Sequence, residues 1–174
     1  MSKGRLPYEV FYYKKMIFKF APFLNRIPFL NRIRMDGCRT ELYGLLLYCH
    51  IVSCGHNNVI KIGRGGVLKN CKISICGDNN TIEIAENVHI TDGDLCIEDS
   101  NNRIFIDEKS SLCGKIHLAA TEGIEIRIGK ECLFSSEIVF RTGASHSILD
   151  MDCNRINYQR ILSLRIMFGS ATVC

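Results

Sequence analysis

Isoleucine residues recur along this chain with a period of 22 residues. Each recurrence is a short run of alternating apolar and polar residues, as in Ile60-Lys61-Ile62, and such alternation is typical of a strand with one buried face. A fixed period of this length indicates a solenoid, in which each repeat buries its apolar face against its neighbours. The two isoleucine columns consist of Ile60, Ile82, Ile104 and Ile126, and of Ile62, Ile84, Ile106 and Ile128.

Two further sets of apolar residues complete each repeat and predict three short strands per turn. An asparagine pair precedes the first strand of three repeats (57–58, 79–80 and 101–102), and asparagine tolerates the left-handed conformation of tight turns. Helical spacing and the leucine-rich-repeat pattern are both missing, so the sequence predicts an all-β solenoid, a parallel β-helix. The second set is Ile73, Ile75, Leu95, Ile97, Ile116, Leu118, Ile138 and Phe140, with spacings of 22, 21 and 22, and the third is Val67, Val88, Leu112 and Leu133.

The composition fits one domain of ordinary polarity. The chain has 174 residues, of which 47% are hydrophobic and 23% charged, as in an average globular protein. Ten cysteines would suggest disulfides in a secreted chain, but no signal-peptide pattern precedes them and their spacing does not suit zinc. We therefore expect no metal and buried thiols in a reducing cytoplasm, with Cys54 and Cys76 stacked as neighbours one repeat apart.

The N-terminal segment 1–34 differs from the rest in charge. Eight Lys and Arg residues against one acidic residue, Glu9, give it a formal charge of +7, whereas the whole chain carries +4. The segment is also rich in Phe, Ile and Leu, and it contains the sequence Phe-Leu-Asn-Arg-Ile twice, at 23–27 and 29–33. Its charges exclude a membrane span. We expect a short helical segment within residues 1–45 that caps the open end of the coil. Peripheral contact of residues 1–34 with an anionic membrane is a second role that can coexist.

One of the five histidines lies in surroundings that suit catalysis. His146 follows the last predicted strand within the polar segment Thr142-Gly143-Ala144-Ser145-His146-Ser147. A reaction in which a hydroxyl group attacks an electrophile needs a base that removes the hydroxyl proton, and imidazole suits this role because it titrates near neutrality. The other four, expected to be structural or solvent-facing, are His50, His56, His89 and His117.

Three segments of the chain between residues 126 and 157 carry a motif. They are Ile126-Arg127-Ile128-Gly129-Lys130-Glu131-Cys132-Leu133-Phe134, Ile138-Val139-Phe140-Arg141-Thr142-Gly143-Ala144-Ser145-His146-Ser147-Ile148 and Asn154-Arg155-Ile156-Asn157. These residues resemble the hexapeptide-repeat acyltransferases, and they are most similar to the branch that O-acetylates capsular polysaccharide, sialic acid or lipopolysaccharide sugars. The repeat supports the resemblance back to about residue 50.

The resemblance implies a left-handed parallel β-helix that transfers acetyl groups. Its donor would be acetyl-CoA and its acceptor a glycan hydroxyl, and the active sites would lie between the subunits of a homotrimer. His146 would be the catalytic base, and Arg141, Ser145 and Asn157 would lie near the substrate. Nothing in the chain resembles a nucleic-acid-binding module.

The similarity ends after Tyr158. The family continues with a strand and a His-Val-Trp-Ile-Gly segment, whereas this chain has no tryptophan. Codons for Gln159 to Gly169 can be chosen so that a shifted frame reads Lys-Asn-Ile-Val-Ile-Glu-Asn-His-Val-Trp-Phe. We therefore expect a frameshift near codon 159, a coil that ends on an uncapped rung, and weak transferase activity because the donor pocket is incomplete.

The predicted organisation is a cap (1–45), a β-helix acyltransferase domain (46–158) and an aberrant tail (159–174). The first functional hypothesis is a cytoplasmic O-acetyltransferase of cell-surface glycan assembly, with peripheral contact to the inner face of the membrane as a further expectation. The second is a non-catalytic solenoid, either a remnant or a scaffold that binds partners or membrane, and binding of acetyl-CoA separates the two. A right-handed β-helix that cleaves polysaccharide is disfavoured because the outward positions form no carboxylate cluster. Those positions are Lys61, Glu83, Phe105 and Arg127.

Overall fold

The computed structural model is built almost entirely of parallel β-strands. It describes residues 19–135, 137–143, 148–154 and 156 and, for the backbone alone, 163–166. Residues 19–24 are helical. Within these described ranges, no helix is long and apolar enough to cross a membrane. The strands are β1 (Arg32–Met35), β2 (Cys38–Leu42), β3 (Leu45–Leu47), β4 (His50–Cys54), β5 (Asn58–Ile62), β6 (Val67–Lys69), β7 (Lys72–Cys76), β8 (Thr81–Ile84), β9 (His89–Ile97), β10 (Arg103–Ile106), β11 (Ser111–Ala120), β12 (Glu125–Ile128), β13 (Leu133–Phe134), β14 (Ile138–Arg141) and β15 (Ser163–Ile166).

The strands form a coil with three faces and about five turns. The first face contains β1, β4, β7, the second halves of β9 and β11, and β14. The second contains β2, β5, β8, β10, β12 and β15, and the third contains β3, β6, the first halves of β9 and β11, and β13. Every pairing is parallel, because each strand lies on the strand one turn earlier. The predicted all-β parallel solenoid is therefore confirmed.

The interior is filled by columns of aliphatic side chains. The two isoleucine columns of the second face are confirmed: Ile60, Ile82, Ile104 and Ile126 are fully buried and pair in register. Each buried side chain of this size stabilises the fold by about 1.5–3 kcal/mol. The third-face prediction was correct at Leu112, and Val88 is also buried, but it was one residue off at Val67 and at Leu133, which is 73% exposed. The buried column there is Leu46, Leu68, Ile90, Leu112 and Phe134.

A β-bulge changes the register on the first face in the fifth turn. Cys113 pairs with Thr91 and Ile116 with Gly93, so Gly114 and Lys115 lie opposite one residue of β9. The bulged residues are not paired in the ladder, so the second half of β11 is shifted by one residue relative to β9. The predicted second column was therefore wrong at this point, because Leu95 pairs with Leu118 and not with Ile116. The observed column is Ile33, Ile51, Ile73, Leu95, Leu118 and Phe140.

The two members of each asparagine pair have different roles, one in the turn and one in the buried stack. The first member has a positive φ, 57° at Asn57 and 59° at Asn79, as its role in a turn requires. The second members, Asn58, Asn80 and Asn102, are fully buried and stack. The amide of Asn80 donates to Asn58 Oδ1 (3.0 Å), and the amide of Asn102 donates to Asn80 Oδ1 (2.9 Å). These bonds satisfy buried backbone donors that the corner would otherwise leave without a partner.

Two asparagines of the N-terminal segment close the third face at its first strand. Asn25 donates to Gly44 O (2.8 Å) and accepts from the Leu46 amide (2.9 Å). Asn31 donates to Leu46 O (3.0 Å) and accepts from the Cys49 amide (3.0 Å). No strand of the described part of the chain pairs with the outer side of β3, so these side chains satisfy groups that a preceding strand would bond. Residues 19–31, hereafter the cap, therefore cover this end of the coil.

The solenoid extends beyond both predicted boundaries. β1 and β2 pair with β4 and β5, so the coil already includes Arg32, upstream of residue 46. The alternating pattern continues upstream through Ile33 and Met35, which pack against the core. At the other end, β15 lies within the predicted aberrant tail and pairs in register with β12. The second face therefore has a rung where an uncapped end was expected.

The cysteines of the described residues are all free thiols. Cys54 and Cys76 pair in register on neighbouring strands, as predicted, and both are exposed. Cys49 and Cys71 are buried one turn apart. A hydrogen bond to Cys49 and burial raise the pKa of the Cys71 thiol. The expectation of buried thiols is therefore correct for some cysteines and wrong for others.

Candidate active site

Of the four predicted site residues, the structure describes one. His146, Ser145 and Asn157 lie outside the described residues, so their roles remain predictions. Arg141 ends β14, at the last described rung of the first face. Its guanidinium Nη2 lies 3.7 Å from Glu98 Oε1, and both side chains are partly exposed. Arg141 is therefore held at the coil surface five residues before His146 in sequence.

Thr142 and Gly143 attach the segment after Arg141 to the preceding turn. Thr142 is buried, its amide donates to Ala119 O (3.0 Å), and its Oγ1 accepts from the Thr121 amide (2.9 Å). A side chain at Gly143 would overlap Thr121 Oγ1. Only glycine allows the chain to pass this closely, so the motif residues Thr142 and Gly143 hold the end of β14 against the preceding turn.

A second histidine, His117, forms an acid–base pair on the first face. It pairs in register with Asp94, and its Nδ1 lies 3.2 Å from Asp94 Oδ2. The two side chains are 29% and 38% exposed. When Nδ1 interacts with a carboxylate, the ring orientation is fixed and Nε2 is the nitrogen that can exchange a proton. Asp94 Oδ1 is buried and has no hydrogen-bond partner among the described residues.

The pair and Arg141 share the outward side of the first face. β11 pairs with β14 so that His117 faces Val139 and Ala119 faces Arg141. Alternation places these four residues on one side of the strands. The Cα atoms of His117 and Arg141 are one strand and two residues apart, a separation of about 8 Å from strand spacing and rise. An acidic, a basic and an imidazole group therefore line one surface patch, which can bind a polar ligand and exchange a proton with it.

Sequence reasoning missed the His117–Asp94 pair. The expectation for His117 was a structural or solvent-facing role, because it lies within a strand-like run. Its partner is 23 residues earlier, one more than the period, since the bulge at Gly114 and Lys115 shifts the register. A search for polar residues at one repeat plus one would have found the pair, but nothing in the sequence locates the bulge.

The other predicted ligands have different outcomes. Among the residues that the structure describes, no three His, Cys, Asp or Glu side chains come together as metal ligands would. The donor acetyl-CoA would be a substrate, and the rungs expected to hold most of it are those that follow position 158 in the family.

Taken together, the three-faced coil and its surface patch are those of a parallel β-helix protein with an acid–base pair near its last described rung. No protein-family model matches the chain, and no curated protein matches it. Solved structures do. One is the polysialic acid O-acetyltransferase OatWY, with a TM-score of 0.62 and 23% identity over 78% of this chain and 61% of that chain. Another is the polySia-specific acetyltransferase NeuO, with a TM-score of 0.50 and 21% identity over 64% of this chain and 61% of that chain.

At sequence identities of 23% and 21%, the similarity to these two structures establishes the fold alone. It confirms the predicted fold class, a left-handed parallel β-helix. This chain spans 61% of the length of each neighbour. Activity, acceptor and assembly are therefore inferences about this chain, and they follow below.

Proposed function

We propose that this protein is an O-acetyltransferase that moves an acetyl group from acetyl-CoA to a sugar hydroxyl of a cell-surface glycan. The observation that carries the proposal is the shared β-helix fold with OatWY over 78% of the chain. The motif segment 126–157 supports it independently, and it includes the residues that attach the segment after Arg141 to the coil. Use of acetyl-CoA favours a cytoplasmic location, and a sialic acid glycan is the acceptor that both neighbours suggest.

The chemistry assigned to His146 is general base catalysis. Its imidazole takes the proton of the acceptor hydroxyl while that oxygen attacks the thioester carbonyl carbon. The carbon–sulfur bond then breaks, and the imidazolium returns the proton to the CoA thiolate. Arg141, Ser145 and Asn157 are assigned to substrate binding, and the partly exposed Arg141 side chain suits the carboxylate of an acidic sugar.

A transfer assay tests this function. Purified protein is incubated with acetyl-CoA and oligosialic acid, and acetylated sugar is detected by mass spectrometry, since ten cysteines would interfere with thiol reagents. We expect His146→Ala to reduce the rate about 10²–10⁴-fold, as loss of a general base does. His89→Gln, at an exposed histidine on the third face, is the control and should leave the rate unchanged. Equal rates for the parent and His146→Ala would contradict the assignment.

The proposal includes a homotrimer and reduced activity in this chain. The tail 159–174 replaces the family segment expected to complete the donor site, so we expect slow transfer. Sequencing the gene tests this, and so does a protein in which the shifted frame is restored after codon 158. We expect faster transfer by the restored protein. Codons that cannot encode tryptophan in the shifted frame would contradict the frameshift. Light scattering measures the subunit number.

The alternative is a non-catalytic solenoid. It predicts that the protein does not bind acetyl-CoA, which calorimetry with acetyl-CoA measures directly. The outward patch with His117, Asp94 and Arg141 favours the enzyme, because a purely structural coil has no need of a paired imidazole on its surface.

A further inference from the structure

The cap buries polar side chains against the coil and exposes aromatic ones, the reverse of the usual arrangement. In each copy of Phe-Leu-Asn-Arg-Ile, the asparagine is buried against the coil, with Asn25 3% and Asn31 7% exposed. The phenylalanine two residues earlier points away, with Phe23 71% and Phe29 95% exposed. Phe20 is also 57% exposed. The side-chain amides of the two asparagines thus hydrogen-bond to the coil, and three large aromatic side chains remain at the surface of one short segment.

Exposed aromatic groups in one segment need a physical reason. Burial of a phenylalanine side chain stabilises a protein, and here Phe20, Phe23 and Phe29 are left largely exposed by the coil. Scattered single exposed residues are normal, but apolar groups that are clustered and bordered by polar ones mark interaction surfaces.

The charges around these aromatic groups have one sign. Lys19, Arg26, Arg32 and Arg34 are exposed, and no acidic residue occurs between residues 19 and 35. Among the described residues, no salt bridge engages these four side chains. A partner for this segment must therefore be both apolar and negatively charged.

An open cleft between the cap and the first turn contains most of this charge. It has a volume of about 760 Å³, and its lining includes Arg26, Arg32 and Arg34. Glu41 also lines it, but that carboxylate is paired with Arg39 at 3.1 Å. Guanidinium groups bind phosphate with paired hydrogen bonds, so the cleft suits phosphate groups at a surface.

We propose that the cap docks on an anionic phospholipid bilayer. Phe20, Phe23 and Phe29 insert at the boundary of headgroups and acyl chains, where aromatic rings are favoured. The arginines face the lipid phosphates and the negative surface potential. The inference does not depend on transferase activity, since it rests on the cap and on the neighbouring residues of the first turn.

Vesicle partitioning tests the proposal with the full-length protein. We expect co-sedimentation with vesicles of phosphatidylcholine and phosphatidylglycerol at low salt, weaker binding at high salt, and little binding to pure phosphatidylcholine. The triple substitution Arg26→Gln, Arg32→Gln, Arg34→Gln should weaken partitioning about fivefold per residue removed. Lys69→Gln with Lys72→Gln removes exposed charge elsewhere on the coil and serves as the matched control.

Because the chain has no native tryptophan, a single introduced tryptophan reports directly on insertion. Phe29→Trp should shift its emission to shorter wavelength when anionic vesicles are added, because the indole leaves water. Leu133→Trp, at another exposed apolar position (73% exposed), should not shift. Equal shifts at both positions, or none at either, would overturn the proposal.

A third measurement separates the membrane from two other occupants. Phe23→Ser with Phe29→Ser should reduce vesicle partitioning at least about tenfold and leave the subunit number and the free energy of unfolding unchanged. If the subunit number falls while partitioning is unchanged, the surface joins copies of this chain and the proposal is wrong. It is equally wrong if only the free energy of unfolding falls, because the aromatic groups then pack within the chain.

Discussion

The middle turns of the coil and its fifth turn obey the repeat to different degrees. From Asn58 to Ile106, side chains one period apart pair in register and the asparagine stack is continuous. In the fifth turn the stack ends at Ile124, whose amide donates to Asn102 Oδ1, and the bulge at Gly114 and Lys115 shifts the first face. The polar groups of the surface patch lie on this irregular turn and on the turns before and after it. A strict repeat therefore stacks like side chains to form the scaffold, whereas the bulge places unlike polar groups next to one another.

Single-residue deletions should show the largest difference between the two regions. Deleting Glu83 from β8 moves Ile84 out of its buried column, because a shift of one residue reverses every side chain. We expect a loss of about 2–5 kcal/mol in the free energy of unfolding. Deleting Lys115 removes the bulge between β9 and β11 and leaves the extra residue between β11 and β14 instead. The buried columns keep their residues, so the cost should stay below about 1 kcal/mol. Urea unfolding measures both, and equal losses would refute the distinction.

Substitutions in the asparagine stack should have intermediate effects. Asn58→Ala leaves the Asn80 amide and Gly77 O without their partners, at a cost of about 1–3 kcal/mol. Asn80→Ala should cost less, because Asn80 Nδ2 has no partner among the described residues and its removal relieves a buried donor. Asn57→Gly is the control, since glycine accepts the positive φ of that turn. The reverse order of the two alanine variants in urea unfolding would show that the stack does not stabilise the coil as described.

The smallest effect is expected at an ion pair between neighbouring turns. Lys130 Nζ lies 2.7 Å from Glu108 Oε1, and this hydrogen bond lowers the pKa of Glu108 and raises that of Lys130. A lowered glutamate pKa gives stability that is present above its unfolded value and lost as the pH falls through the folded value. A raised lysine pKa gives stability that is lost as the pH rises through its folded value.

Lys130→Gln should therefore return the pKa of Glu108 to its ordinary range, as measured by NMR titration of the carboxyl carbon. Because both groups are exposed, we expect no measurable change in the free energy of unfolding at physiological salt. An unchanged Glu108 titration would show that the pair does not form in solution.

Much of the scaffold could be predicted because stacking repeats a local pattern. Ile60 and Ile82 lie one period apart and are in contact, so the sequence reports a three-dimensional neighbour directly. Where the pattern is short, prediction was less accurate. Leu133 and Phe134 are both apolar, and only the packing of Phe134 against Phe140, with ring centroids 6.1 Å apart, decides which of them is buried.

The site was less predictable than the scaffold for a physical reason. Arg141 was found from a family motif, whereas His117 and Asp94 are related through a bulge that no residue type marks. The boundary at residue 46 was wrong because β1 and β2 belong to a turn shorter than the period. Ile33 and Ile51 pair although only 18 residues separate them, so periodicity could not reveal the first turn.

The two cap asparagines also bear on how this molecule behaves at high concentration. A β-helix is a stack that further chains could in principle lengthen, since its terminal strands offer open hydrogen bonds. Asn25 and Asn31 already occupy those bonds along β3. Growth of filaments from this pole is therefore blocked at one of three edges by two amide groups.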